Sequence, residues 1–249
     1  MLIPIRVEVP GRRTPWANYA IVVATLWFSL SAILAENRRG EILRFAGFEA
    51  VRSYGTEGLG VESLLAARTK VTYRRTVPVY QSALTSAVVH AGLIHLVGNV
   101  LFLCVFGKAA NARLGSGMYL VLYTVAAIMA GLVHEAGSGE PVVGASGAIN
   151  GVVAACLVFY PRDDIRFTVA GAWMAGTFSQ RATHLILWWL AWDMIALFRE
   201  SADGVAHWSH LGGFVGGFLF AMLLAAAGWM STEDDSPTLL ELLTGGGER

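Results

Sequence analysis

The chain has 249 residues, equal numbers of basic and acidic side chains (18 each) and no formal net charge. Charged residues are only 14% and hydrophobic ones 55%, against about 25% charged in an ordinary soluble domain, and the mean hydropathy is +0.55. Neutrality excludes electrostatic capture of nucleic acid, which needs a basic face; the apolar content excludes disorder over most of the length. The composition is that of a membrane protein.

In chain order, residues 1–13 form a short segment carrying Arg6, Arg12 and Arg13. A helix needs about 20 mostly apolar residues to cross a hydrocarbon core about 30 Å thick, so charge-free runs locate the spans. They are Thr14–Ala35, Thr76–Gly107, Leu114–His134, Pro141–Pro161 and Gly204–Thr232, with Ala182–Phe198 interrupted only by Asp193. This predicts an all-α polytopic bundle of six transmembrane helices over 14–230, with a first outer loop over 36–80 and an acidic, solvated tail over 231–249. Phe167–Gln180, apolar but only 14 residues long, reads as a loop or an interfacial segment; a crossing there would make seven spans. The 36–80 loop reads as a brace for the helices or a partner-binding segment. The first run is longer than a signal-peptide core and lacks a small-residue cleavage site, so it reads as a retained span.

With the N-terminus inside, the inner segments hold nine Lys and Arg residues and the two later outer loops only Arg199. This places both termini in the cytoplasm. The 36–80 loop carries eight basic residues against that trend, which a loop of its length tolerates. Cys104 and Cys156 fall within spans and read as small apolar core residues. No Walker loop, HExxH motif or paired CxxC is present, and neither a metal nor an organic cofactor is expected.

Polar side chains inside spans mark function by default. Here they are His90, His95, Asn99, Ser146, Asn150, Asp193, His207 and His210. Counting back from Arg162 puts Ser146 roughly 24 Å above the inner face, and counting from Lys108 puts His95 roughly 20 Å above it. His210 lies roughly 10 Å below the outer face by the same count from Asp203. The three share one level of the bilayer. Gly147, Gly151 and Ala155, with Gly212/Gly216 and Gly213/Gly217, provide small-residue faces that let helices meet closely in lipid. Ser146 opens its helix below the outer face, where free N–H groups and the helix dipole favour a developing oxyanion.

Gly144-Ala145-Ser146-Gly147, the His90/His95/Asn99 spacing and Ala206-His207-Trp208-Ser209-His210-Leu211-Gly212-Gly213 together resemble the rhomboid family of intramembrane serine proteases, bacterial type. Met1–Arg6 and Arg113–Gly117 also resemble segments of that family. The resemblance implies Ser146 as nucleophile, within the Gly144–Gly147 segment, and His210 as general base. His95 and Asn99 would be oxyanion donors, and His90 a supporting residue near a cavity mouth. It implies no third carboxylate, hence a dyad. Asn111 replaces a glutamate of many relatives, and Asn150 an aromatic of some. The implied activity is endopeptidase cleavage in or beside transmembrane segments of membrane proteins, in a bacterial inner (cell) membrane. The lipid bilayer and transmembrane substrates are then its partners.

Among the remaining polar residues, Asp193 reads as a structural hydrogen bond in preference to a substrate gate, and His207 as lining the cavity. His134 and His184 read as wet interfacial residues, and Ser116 and Ser138 as turn residues. A metal site from His90, His95, His207 and His210 lacks a carboxylate ligand. The rival function is a non-catalytic rhomboid-like protein that binds or escorts transmembrane helices, which would need neither Ser146 nor His210. A small transporter would show inverted repeats, which the sequence lacks.

Overall fold

The computed structural model describes residues 2–7, 13–34, 38–53, 70–170, 175–199, 204–229 and 236–245. Four helices are long and apolar enough to cross a membrane: α1 (Trp16–Leu34), α4 (Leu93–Leu114), α5 (Ser116–Gly137) and α8 (His207–Ala226). Two shorter apolar helices, α6 (Ser146–Phe159) and α7 (Ala182–Phe198), complete the bundle. Short helices α2 (Arg38–Phe45) and α3 (Val79–Ser86) precede α4, and α9 (Leu239–Leu243) lies in the tail.

Helix α1 shows why this is a membrane bundle. Its buried residues Asn18, Ile21, Thr25, Ser29 and Ile33 recur at three- or four-residue steps along one stripe. Trp16, Val23, Trp27 and Leu34 are exposed. The hidden face is the more polar one, the reverse of a helix on a soluble core, because lipid accepts apolar side chains and rejects unpaired polar ones. Asn18 anchors this stripe. Its amide donates to the Leu103 carbonyl (2.9 Å) and its Oδ1 accepts from the Tyr119 hydroxyl (2.8 Å). Leu103 begins a wide π turn in α4, Leu103–Gly107. The Asn18 backbone N–H in turn donates to Asn111 Oδ1 (3.0 Å), so the shorter amide still ties α1 to the end of α4.

The structure corrects several expectations. The uncharged run Thr76–Gly107 is two helices, α3 and α4, separated by residues 87–92, with Gly92 extended ahead of α4. Helix α4 then continues past Lys108 and Arg113, whose long side chains carry their charge beyond an apolar stem. Within Phe167–Gln180 the described residues are extended: they belong to β4 (Asp164–Ala170) and β5 (Ala175–Arg181), which pair antiparallel. β4 also pairs antiparallel with β1 (Leu2–Val7), giving the sheet order β1-β4-β5. The 36–80 loop contains α2 and an antiparallel pair, β2 (Phe48–Ser53) with β3 (Lys70–Arg75). It leans on the helices: Phe45 stacks near Phe28 of α1 (5.0 Å), Ser82 of α3 donates to the Ala46 carbonyl (2.7 Å), and Arg75 pairs with Glu135 of α5.

Pairing of β1 with β4 places residues 2–7 and 164–170 on one face of the molecule. The tail joins that face instead of being fully solvated. Arg113 donates to the Ser236 carbonyl (2.9 Å), the Ser236 hydroxyl donates to Asp163 (3.2 Å), and Thr238 is buried. Both ends of the described chain therefore share a face. Cys156 is buried against the Phe106 carbonyl, whereas Cys104 is exposed on α4 instead of lying in the core.

Candidate active site

Glycines set the geometry of the centre. Gly213 of α8 lies against Gly147 of α6, and Gly217 lies against Gly151. A Cβ on Gly213 would come within 2.7 Å of the Gly147 carbonyl carbon, and one on Gly151 within 2.7 Å of the Gly213 oxygen. Both contacts advance four residues in the same direction, so the two helices run parallel, backbone to backbone. The other stripe of α8 serves a second neighbour: Gly212 and Gly216 face Met129 of α5. Ser146 opens α6, one residue before Gly147, and His210 lies one turn before Gly213. At 1.5 Å rise per residue their backbones differ by about 3 Å along the shared axis. The serine is partly exposed and His210 is 9% exposed.

The segment leading into Ser146 is held from three sides. Gly144 adopts φ +124°, and a side chain there would collide with the His95 ring, 2.6 Å from its Cε1. Only glycine fits this backbone under that imidazole. The Gly144 N–H donates to the Ser86 carbonyl (3.0 Å). The Ala145 N–H donates to His90 Nε2 (3.2 Å). Because Nε2 accepts, the His90 proton is on Nδ1, which donates to Ser29 Oγ (2.9 Å); the Ser29 hydroxyl donates onward to the Val88 carbonyl (3.0 Å). His90 is fully buried. It is a hub tying the loop before Ser146 to α1.

His95 is exposed on the first turn of α4, edge-to-face with His90 at 5.0 Å. Asn99, one turn on, donates one amide proton to the His95 carbonyl (2.9 Å). Asn150 does the same to the Ser146 carbonyl (2.9 Å). At the start of α6 the first-turn N–H groups have no carbonyl four residues back within the helix.

A third element enters from α7. Its buried residues Ala182, Ile186, Asp193 and Ala196 form one stripe, while Trp188, Trp192 and Phe198 are exposed. Asp193 meets two histidines of α8: its Oδ1 lies 2.8 Å from His207 Nδ1, and its Oδ2 lies 3.0 Å from His210 Nδ1. An ionised carboxylate only accepts, so both Nδ1 atoms carry protons. Asp193 thus makes the structural hydrogen bond expected of it, and a carboxylate lies against His210 as well as His207. The spacing of Asp193 on its helix gives no rotation for α7 against α8, so the sequence could not reveal this contact. These three side chains also form a donor set within 4.8 Å, though their N···O distances are those of charge-assisted hydrogen bonds. His134, expected to be wet, is buried, with Nε2 donating to the Glu140 carbonyl (3.0 Å). His184 is exposed beside Gln180.

Apolar helices with polar hidden faces define an integral multi-pass membrane protein. A family model, the Rhomboid domain, matches residues 78–227, more than half of the chain. The chain belongs to the rhomboid family.

Proposed function

We propose that this protein is a serine endopeptidase that hydrolyses peptide bonds in or beside the transmembrane segments of other membrane proteins. The observation that supports the reading is the α6–α8 glycine seam, along which the Ser146 and His210 backbones differ by about 3 Å. In this reading α6 and α7 also cross the bilayer, giving six spans, and the face shared by 2–7, 164–170 and 236–245 is cytoplasmic in a bacterial cell membrane.

Ser146 Oγ attacks the scissile carbonyl carbon while its proton passes to His210 Nε2. The carbonyl π electrons move to oxygen, forming the tetrahedral oxyanion. In this reading the Ser146 N–H at the α6 N-terminus, His95 and Asn99 receive that charge, with Gly144 and Gly147 letting them approach. Collapse breaks the C–N bond, and the Nε2 proton goes to the leaving amine. Water then repeats the sequence on the acyl-enzyme, giving its proton to His210 and restoring Ser146. No residue in these steps requires a metal or an organic cofactor. A helical substrate hides its carbonyls in its own hydrogen bonds, so segments with small or helix-breaking residues are the expected substrates.

The test is cleavage of a fluorogenic transmembrane peptide by the purified chain in detergent. Wild type is expected to cleave, and Ser146→Ala and His210→Ala each to lose about a million-fold in kcat, as in other serine proteases. Cleavage that survives both substitutions overturns the assignment. A folded wild type that binds the peptide without cleaving it supports the non-catalytic helix-binding reading instead.

A further inference from the structure

We infer that Asp193 is a positioning residue for His210, so that this protein works with an Asp193–His210–Ser146 set in place of an unassisted pair. The inference rests on the proposed peptidase function. Its geometry stands apart from that function, because the contact joins α7 to α8 without involving Ser146. His210 Nδ1 lies 3.0 Å from Asp193 Oδ2 and 3.3 Å from Oδ1. Asp193 is 6% exposed. A carboxylate this buried is costly unless paired and hydrogen-bonded, and here both oxygens are engaged by imidazole N–H groups.

The chemical consequence concerns which ring nitrogen carries the proton. A neutral imidazole has one N–H and one acceptor nitrogen. Asp193 holds the proton on Nδ1, which leaves Nε2 as the acceptor that a general base must present to the Ser146 hydroxyl. When Nε2 takes that proton, His210 becomes cationic, and the adjacent carboxylate stabilises the charge without itself being protonated. His207 shares the same carboxylate through Oδ1 at 2.8 Å. The two histidines, one turn apart, thus hold Asp193 between them, and His207 fixes the carboxylate that fixes His210.

Substitution of Asp193 by Asn separates this role from simple packing. The amide keeps the size of the side chain, but its N–H₂ can donate to Nδ1 and drive the His210 proton onto Nε2. The full chain in detergent micelles is expected to lose about 1,000- to 10,000-fold in kcat with little change in KM. Asp193→Glu, which keeps a carboxylate, is expected to recover part of that loss. In ¹⁵N-histidine-labelled wild type, His210 Nδ1 is expected to give a protonated, pyrrole-type signal, and Asp193→Asn to lose it. Wild-type kcat in Asp193→Asn overturns the inference. So does an unprotonated His210 Nδ1 in the wild type, a reading that needs no variant to fold. So does a tightly bound divalent cation, found by elemental analysis, whose removal by chelator shifts the His207 and His210 signals. If the wild type cleaves nothing, the peptidase reading fails, while the ¹⁵N spectrum still decides the Asp193–His210 contact.

Discussion

Helix α8 is held on two sides by opposite means. Against α6 it has almost no side chain between the backbones: Gly213 and Gly217 rest on Gly147 and Gly151. Against α7 it is held by a buried carboxylate shared between His207 and His210. In lipid there is little hydrophobic drive for one apolar helix to join another, so association relies on close packing and on hydrogen bonds. The first seam fixes a distance, because two backbones in contact have no rotamers to adjust. The second fixes a direction, because a hydrogen bond aims one ring nitrogen. The proposed serine–histidine centre needs both, and the two seams supply them separately.

Breaking the backbone seam is expected to have the largest effect after loss of Ser146 or His210 themselves. Gly213→Val forces a branched side chain onto the Gly147 carbonyl, which cannot move without shifting α6. Overpacking of this kind costs about 1–3 kcal/mol or more. Thermal unfolding in detergent is expected to show that loss together with loss of peptide cleavage; an unchanged midpoint would mean the seam is not packed as described.

The polar side of the comparison extends to His90. His90→Ala leaves the buried Ala145 N–H without its acceptor, while the Ser29 hydroxyl keeps its bond to the Val88 carbonyl. The expected cost is about 1–3 kcal/mol, with a fall in kcat because the loop before Ser146 loses its anchor. Ser29→Ala removes the two outer bonds of that chain, to His90 and to Val88, but leaves the Ala145 N–H on His90, so it is expected to lower kcat less. Equal losses from the two substitutions would contradict the order of the network.

The smallest effect belongs to the tail. Thr238 caps α9 by accepting from the Glu241 N–H (3.2 Å), while its own N–H (2.7 Å) and hydroxyl donate to the Glu241 carboxylate. Those donors hold the Glu241 carboxyl below its ordinary value of 4.5. A lowered folded value means the contribution is fully present above pH 4.5 and is lost as pH falls through the lower folded value. Limited proteolysis of the tail is therefore expected to rise on acidification below that point and to be nearly pH-independent there in Glu241→Gln. Thr238→Ala is expected to cost about 1 kcal/mol locally, with cleavage activity unchanged.

Much of this was legible beforehand, and the losses have physical reasons. Charge-free runs located every long apolar helix, because charges avoid the hydrocarbon core. Four-residue glycine spacing located the α6–α8 seam. Counting charges cannot see a break inside an uncharged run, so α3 and α4 merged. The hairpin had a period-two signal in Asp164-Ile165-Arg166-Phe167-Thr168-Val169, which the apolar stretch beginning at Phe167 obscured. Asp193 was visible as an anomaly in α7, but its partner was not. That helix is apolar all round, so no sequence pattern orients it, and the direction of the carboxylate is a tertiary fact.

The central claim is that Ser146 is an activated nucleophile, and covalent trapping tests it most directly. The full-length protein in detergent is treated with a fluorophosphonate and digested, and the modified peptide is located by mass spectrometry. The adduct is expected on Ser146 Oγ, forming far more slowly in His210→Ala. An unmodified Ser146 in protein that still cleaves a transmembrane peptide, or an adduct indifferent to His210, would contradict it.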